Sequence, residues 1–171
     1  MVHDLWIINE AVVPLHPTVP NPYVILGEIL PIAKWFTVFD LKDTFFCIPL
    51  AKESQYLFAF KWEAPAERHQ LMTWTILPQG FRDSPHLFRQ VLSQDLLGLD
   101  LGANGKILQY IDDLLICSPD EKNTQHYAIQ VFKFLAERGY KVSRAKAQMV
   151  KTKVTYLGVQ ITHRSRRLSS D

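Results

Sequence analysis

Ile107-Leu108-Gln109-Tyr110-Ile111-Asp112-Asp113-Leu114-Leu115-Ile116 decides how the rest of the chain is read. Two adjacent carboxylates stand between two apolar runs, each of strand length and too short for a helix. The pattern predicts a β-hairpin with Asp112 and Asp113 at its tip. Apolar strands on either side draw the pair toward the interior, where two like charges are costly unless something positive compensates. Oxygen ligands alone suit Mg2+ or Mn2+. An Asp-Asp dipeptide by itself is common in solvated turns. Tyr110 before the pair and the tight apolar run after it set this one apart.

The 171 residues are 47% hydrophobic and 21% charged. That is enough for one domain with a real core, and it excludes the disordered class. A formal charge of +2 does not announce a nucleic-acid binder. Basic residues nevertheless gather toward the C-terminus: Lys141, Arg144, Lys146, Lys151, Lys153, Arg164, Arg166 and Arg167. They read either as a solvated surface or as nucleic-acid contacts. Cys47 and Cys117 both lie in apolar runs and read as buried, reduced thiols. With no secretory signal, they point to an intracellular, cytoplasmic protein. The six His show no zinc-finger spacing with them, and no apolar run reaches membrane-spanning length.

Met1 to Pro31 holds Pro14, Pro17, Pro20, Pro22 and Pro31, a density that predicts an extended surface segment without helix. Phe36 to Leu41 reads as a strand, with Phe36, Val38 and Asp40 on one side and Thr37, Phe39 and Leu41 on the other. Tyr56 to Trp62 and Leu71 to Ile76 alternate and predict an antiparallel hairpin around the loop 63–70, its aromatic face directed to the core. Leu77-Pro78-Gln79-Gly80-Phe81 reads as a tight loop. Ser84 then caps a helix with Pro85 at its first position and an apolar stripe of Leu87, Phe88, Val91 and Leu92. A second helix, capped by Ser118 or Asp120, turns Ala128, Val131, Phe132, Leu135 and Ala136 to the core and stops at Gly139. Short strands over Lys141 to Ser143 and Val154 to Ile161 flank a basic turn. This order predicts an α+β fold: one antiparallel sheet with two helices packed on one face.

If the strand carrying Asp40 neighbours the hairpin, three carboxylates converge. That layout can hold two Mg2+ ions about 3.5–4 Å apart for in-line phosphoryl transfer. Lys146, in the basic turn, reads either as a surface lysine or as a proton donor to the leaving group.

Six stretches together resemble the polymerase domain of reverse transcriptases from gammaretroviruses and related endogenous retroviruses. His16 to Tyr23 is similar to the segment joining fingers to palm. Phe39-Asp40-Leu41-Lys42-Asp43-Thr44-Phe45-Phe46 resembles the first catalytic motif. Leu77 to Phe81 with Ser84-Pro85 resembles the second, Tyr110-Ile111-Asp112-Asp113 the third, and Gly139-Tyr140 through Lys146-Ala147-Gln148 the fourth. Tyr156-Leu157-Gly158 resembles the primer grip. The likeness covers almost the whole chain, and a chance match to all six in order is negligible.

The resemblance implies a polymerase palm over 36–155, preceded by partial fingers and linker over 1–35 and followed by a primer-grip region and tail over 156–171. It implies Asp40, Asp112 and Asp113 as ligands of two Mg2+ or Mn2+ ions, with Lys146 as the acid. Backbone amides around Asp43, Thr44 and Phe45 would cradle a deoxynucleoside triphosphate. Phe45 would exclude a ribose 2′-hydroxyl, an RNA-polymerase palm being the reading that this residue argues against. Gln79 and Gly80 would meet the nucleotide, and Ile111 would lie near the primer end. The implied partners are an RNA or DNA template with its primer and the remaining fingers, thumb, connection and ribonuclease H parts of the parent polyprotein; no membrane is implied. Trp6 and Glu10 stand where the family carries Arg and Lys, which removes two basic contacts to nucleic acid. Those departures favour the alternative of an inactive endogenous-retroviral remnant that binds nucleic acid weakly.

Overall fold

The computed structural model describes residues 3–15, 20–62 and 70–168. In chain order its elements are α1 (Trp6–Ala11), α2 (Pro22–Gly27), β1 (Trp35–Lys42), a 3-10 turn (Thr44–Cys47), α3 (Lys52–Gln55), a second 3-10 turn (Tyr56–Phe58), β2 (Phe60–Trp62), β3 (Gln70–Met72), α4 (Ser84–Leu96), β4 (Lys106–Tyr110), β5 (Asp113–Ser118), α5 (Glu121–Glu137), β6 (Lys141–Val142), β7 (Gln148–Lys151), β8 (Lys153–Tyr156), β9 (Val159–Thr162) and β10 (Arg166–Leu168). They form two compact units. One comprises Met1–Pro17 and Asp43–Phe88, the other Thr18–Lys42 and Arg89–Asp171. Among the described residues no helix is long and apolar enough to cross a membrane.

The larger unit is built on β1. All its pairings are antiparallel, in the order β4-β5-β1-β6, with β7 also pairing β1. Because side chains alternate along a strand, β1 feeds two cores. Phe36 and Val38 sit opposite Cys117 and Leu115 and enter one apolar cluster with Ile25, Leu26 and Ile29 from α2 and its exit, and with Val154, Tyr156, Val159 and Ile161. Phe39 faces the other way, edge-on to Phe132 of α5 at 4.8 Å between ring centroids. Thr37 is fully buried, and its Oγ1 accepts from the Val150 amide at 3.0 Å, where β7 slips register against β1.

The single sheet predicted from the pattern is therefore part of a larger arrangement. The face opposite α5 is covered by a separate three-stranded sheet, β8-β9-β10, and by α2. Helix α5 begins as expected at Asp120, whose carboxylate accepts from the Asn123 amide at 2.8 Å, and ends before Gly139 at φ +81°. Its buried stripe is Thr124, Ala128, Val131 and Leu135; Ala136 is exposed and Phe132 half-buried.

The extended N-terminal segment is a correction. Proline is barred from helix interiors but not from the first helical position. Pro22 takes that position in α2, capped by Asn21, whose side chain accepts from the Tyr23 amide at 2.9 Å. Trp6–Ala11 contains no proline and also coils. Gly27 and Gly158 show how backbone, rather than space, decides a glycine. An added Cβ would meet nothing within 4 Å at either. Gly158 has φ +73° and Leu157 φ +52°, the pair of left-handed residues that a two-residue β8–β9 hairpin turn requires. Gly27 lies in α2 with no such φ. Gly158→Ala should cost about 1–2 kcal/mol in chemical denaturation, and Gly27→Ala should gain about 0.5–1 kcal/mol.

The smaller unit departs further from its reading. Tyr56 to Trp62 is not one strand: Lys52–Gln55 and Tyr56–Phe58 coil, and only Phe60–Trp62 pairs with Gln70–Met72. The loop 63–69 lies outside the described residues. Phe58 is buried against Phe81, but Tyr56 and Trp62 are exposed, so the aromatic alternation does not mark one core face. Helix α4 starts at Ser84, one residue earlier than a cap would allow, and the Ser84 hydroxyl donates to the Pro78 carbonyl at 2.9 Å. Of its expected stripe, Phe88 and Leu92 are fully buried, Leu87 is half-buried and Val91 is exposed. Cys117 is buried as expected, whereas Cys47 is only half-buried.

Candidate functional site

The hairpin stands as predicted: β4 and β5 pair from Lys106 opposite Cys117 to Tyr110 opposite Asp113. On its other edge β5 pairs β1, with Asp40 directly opposite Asp113. Directly opposed residues of an antiparallel pair have their Cβ atoms about 4.5–5.5 Å apart on one face of the sheet. Asp40 and Asp113 are thus brought together, with Tyr110 alongside. Asp112 occupies the turn, and its carbonyl accepts from the Leu41 amide at 3.0 Å. Ile111 before it has φ +53°, a left-handed conformation unusual for a β-branched residue and of the kind found at functional turns.

Burial pushes the carboxyl groups of Asp112 and Asp113 above their ordinary value. Repulsion adds to it, from Asp40 in both cases and from Asp112 on Asp113, while Lys146 pulls both back down. Mutual repulsion was the cause anticipated from sequence; it acts in the expected direction, but burial is the larger effect. Asp40 Oδ1 is buried without a hydrogen-bond partner, a state that a bound cation would relieve. An all-carboxylate donor set with one orphaned oxygen fits a hard divalent cation. Among the described residues, however, no group of three or more His, Cys, Asp or Glu is arranged to hold a metal ion as it stands. The backbone brings Asp40 and Asp113 together and sets Asp112 next to them; it does not close a three-carboxylate shell. Lys146 is exposed in the turn before β7, near enough for its charge to act on Asp112 and Asp113.

In the smaller unit Asp43 is left-handed at φ +55° and opens the 3-10 turn that carries Thr44 and Phe45. Its carbonyl accepts from the Phe46 amide at 3.0 Å. Phe45 is half-buried, edge-on to Phe88 at 6.2 Å. Gln79 is exposed. Gly80 has φ +97°, and a Cβ there would meet the His3 carbonyl at an ordinary 3.5 Å. The backbone angle, more than close approach, makes glycine necessary at this position. The pairing of this loop with α1 was not read from sequence. Asn9 donates to the Gly80 carbonyl at 2.9 Å and accepts from the Arg82 amide at 2.8 Å, while Arg82 Nη2 donates to the Val12 carbonyl at 2.7 Å. Only the Asn of Asn9-Glu10, two polar residues after Trp6-Ile7-Ile8, hinted at it.

Tyr156, Leu157 and Gly158 form the β8–β9 turn; Tyr156 is buried and Leu157 packs on the same cluster as Tyr110. Burial first, and then the charge of Asp113, pushes the Tyr156 hydroxyl well above its ordinary value.

Residues 2–161 match the family described as reverse transcriptase (RNA-dependent DNA polymerase). The chain belongs to the reverse transcriptase family. It is 49% identical to the Gag-Pol polyprotein of avian reticuloendotheliosis virus, over 99% of this chain and 15% of that protein. It is 44% identical to the Pol polyprotein of feline endogenous virus ECE1, over 98% of this chain and 16% of that one. The chain therefore spans under a fifth of these relatives. Among solved structures, a foamy viral protease-reverse transcriptase in complex with double-stranded DNA superposes with a TM-score of 0.81 at 32% identity, over 99% of this chain and 28% of that one. The foamy viral enzyme in complex with an RNA/DNA hybrid superposes with a TM-score of 0.79 at 32% identity, over 98% of this chain and 21% of that chain. The α+β fold of this reverse transcriptase chain is accordingly that of a polymerase palm, with antiparallel sheets and few helices.

Proposed function

We propose that this reverse transcriptase domain transfers a nucleotide from a deoxynucleoside triphosphate to a primer 3′-hydroxyl on an RNA or DNA template. The observation that carries the reading is the cross-strand pairing of Asp40 with Asp113 at the Asp112-Asp113 tip, with Asp40 Oδ1 orphaned. Asp40, Asp112 and Asp113 would hold two Mg2+ or Mn2+ ions. Ions so placed supply activation of the attacking hydroxyl and neutralisation of charge on the leaving pyrophosphate. Lys146 Nζ, whose charge already acts on Asp112 and Asp113, donates the proton that pyrophosphate takes up. Phe45 selects the sugar, Asp43, Thr44, Gln79 and Gly80 meet the nucleotide, and Ile111 adjoins the primer end. Tyr156, Leu157 and Gly158 steady the primer strand. In this scheme 36–155 is the palm, 1–35 partial fingers and linker, and 156–171 the primer-grip region and tail, working with further segments of a parent polyprotein.

Exposed Trp6 and the loss of two basic positions to Trp6 and Glu10 favour a second reading, a module that binds nucleic acid weakly without catalysis. One experiment separates them. Residues 1–171 replace the matching segment of the avian reticuloendotheliosis virus polymerase, and primer extension is measured with Mg2+. Extension that disappears with Asp112→Asn supports the polymerase reading. Template–primer binding without extension supports the weaker one. In the isolated chain, Mg2+ at ten times its dissociation constant should add about 1.4 kcal/mol to stability, read as a rise in melting temperature. That gain should be absent in Asp112→Asn.

A further inference from the structure

The three backbone carbonyls of the hairpin tip are each held from a different direction. Gln109 Nε2 donates to the Ile111 carbonyl at 3.0 Å and to the Arg89 carbonyl at 3.3 Å. The Leu41 amide donates to the Asp112 carbonyl at 3.0 Å. The Tyr156 hydroxyl donates to the Asp113 carbonyl at 3.2 Å, long for a hydroxyl donor but made at a side chain only 2% exposed. The middle bond is ordinary strand pairing. The outer two come from side chains, one half-buried amide and one phenol whose ring belongs to the apolar cluster.

Ile111 is what makes these bonds necessary. A β-branched residue at φ +53° is strained and persists only where its surroundings over-determine it. Left alone, the tip would relax toward an ordinary turn and re-aim the two carboxylates that follow. A buried phenol normally finds one partner, and a carboxamide bridging two carbonyls uses both of its N–H groups.

We propose that Gln109 and Tyr156 are positioning residues for the carboxylate tip. Gln109 fixes the carbonyl before Asp112, and Tyr156 fixes that of Asp113. Together they set where both carboxylates point and tie that aim to β8 and α4. The functional meaning rests on Asp112 and Asp113 being metal ligands.

Gln109→Met keeps the side chain's length and removes its N–H donors; Tyr156→Phe removes only the hydroxyl. Amide hydrogen exchange is followed residue by residue in the metal-free chain, and Mn2+ binding is followed by loss of the free-ion electron paramagnetic resonance signal. Each variant should speed exchange of the Leu41 amide by roughly three- to tenfold, leave Phe39 and Leu115 unchanged, and weaken Mn2+ binding by a similar factor. Even acceleration across β1 and β5 would mean that the two side chains merely stabilise the sheet, and it overturns the proposal whatever Mn2+ does. Unchanged exchange at Leu41 overturns it too, as does local acceleration with unaltered Mn2+ binding in a chain whose binding requires Asp113. If the unsubstituted chain fails to bind Mn2+, or Asp113→Asn binds it equally well, the metal reading fails instead. Positioning is then decided by the exchange profile alone.

Discussion

Asp113→Asn is expected to lower primer extension by about three orders of magnitude or more in a polymerase carrying this domain, and to raise the melting temperature of the metal-free chain at neutral pH. The loss follows from the several kcal/mol of charge stabilisation that a metal ligand supports, each 1.36 kcal/mol being a factor of ten. The gain follows from the same carboxylate without its ion. Burial, followed by Asp112 and Asp40, holds the Asp113 carboxyl above its ordinary 3.8. Between that value and the folded one, the native state binds more protons than the unfolded state, so stability falls as pH rises. Above both values the penalty is complete; below 3.8 it is absent. Asparagine is neutral throughout. The variant's advantage should therefore be full at pH 7 and shrink to nothing as pH falls through the acid range, at about 2–4 °C for each kcal/mol relieved. Melting curves of both chains at several pH values give the difference directly. An Asp113→Asn chain that melts lower at pH 7 would show that the carboxylate already has a stabilising partner. Opposite signs in stability and activity are the mark of a strained functional group.

Phe45→Val should relax sugar selection. In a polymerase carrying this domain, the ratio of kcat/KM for deoxyribonucleotide to ribonucleotide should fall by about 10–200-fold, the range available to shape exclusion in a pocket. Phe45 is half-buried, and its ring meets Phe88 edge-on at 6.2 Å. The substitution therefore also forfeits an aromatic pair worth about 0.5–1.5 kcal/mol. The two effects separate cleanly, since lost packing lowers the melting temperature and leaves the ratio alone. Undiminished discrimination in a less stable chain would assign Phe45 to packing only.

The carboxylate hairpin was legible because two independent signals coincide there, strand-length apolar runs and a charged pair that no apolar strand tolerates without reason. Strand β1 was legible too, and with it the alternation that puts Asp40 on the side of Phe36 and Val38. What was not legible depends on partners distant in sequence. Nothing local in Val154-Thr155-Tyr156 tells that Tyr156 crosses to the Asp113 carbonyl, nor in Gln109 that its amide reaches Arg89. Val154 to Ile161 reads as one more strand of the first sheet, yet it folds into β8 and β9 of a second sheet with β10, because an apolar alternation does not name the face it covers. Local rules also misled. Proline density hid two short helices, and the spacing of Tyr56, Phe58, Phe60 and Trp62 fitted a strand where half of it coils. A period of two over four aromatics is too short a sample against the helix-forming Lys52-Glu53-Ser54-Gln55 just before it.

The ladder between β1 and β5 is also a ruler. A single-codon insertion between Trp35 and Asp40 would leave a sheet that still pairs and still buries apolar side chains on both faces. It would move the Asp40 carboxylate to the side where Phe39 now meets Phe132. Such a lesion would bury that carboxylate among apolar side chains and would end the proposed chemistry even where the sheet still forms. In a lineage under selection for polymerase function, this short stretch should accept substitutions far more readily than any change in length.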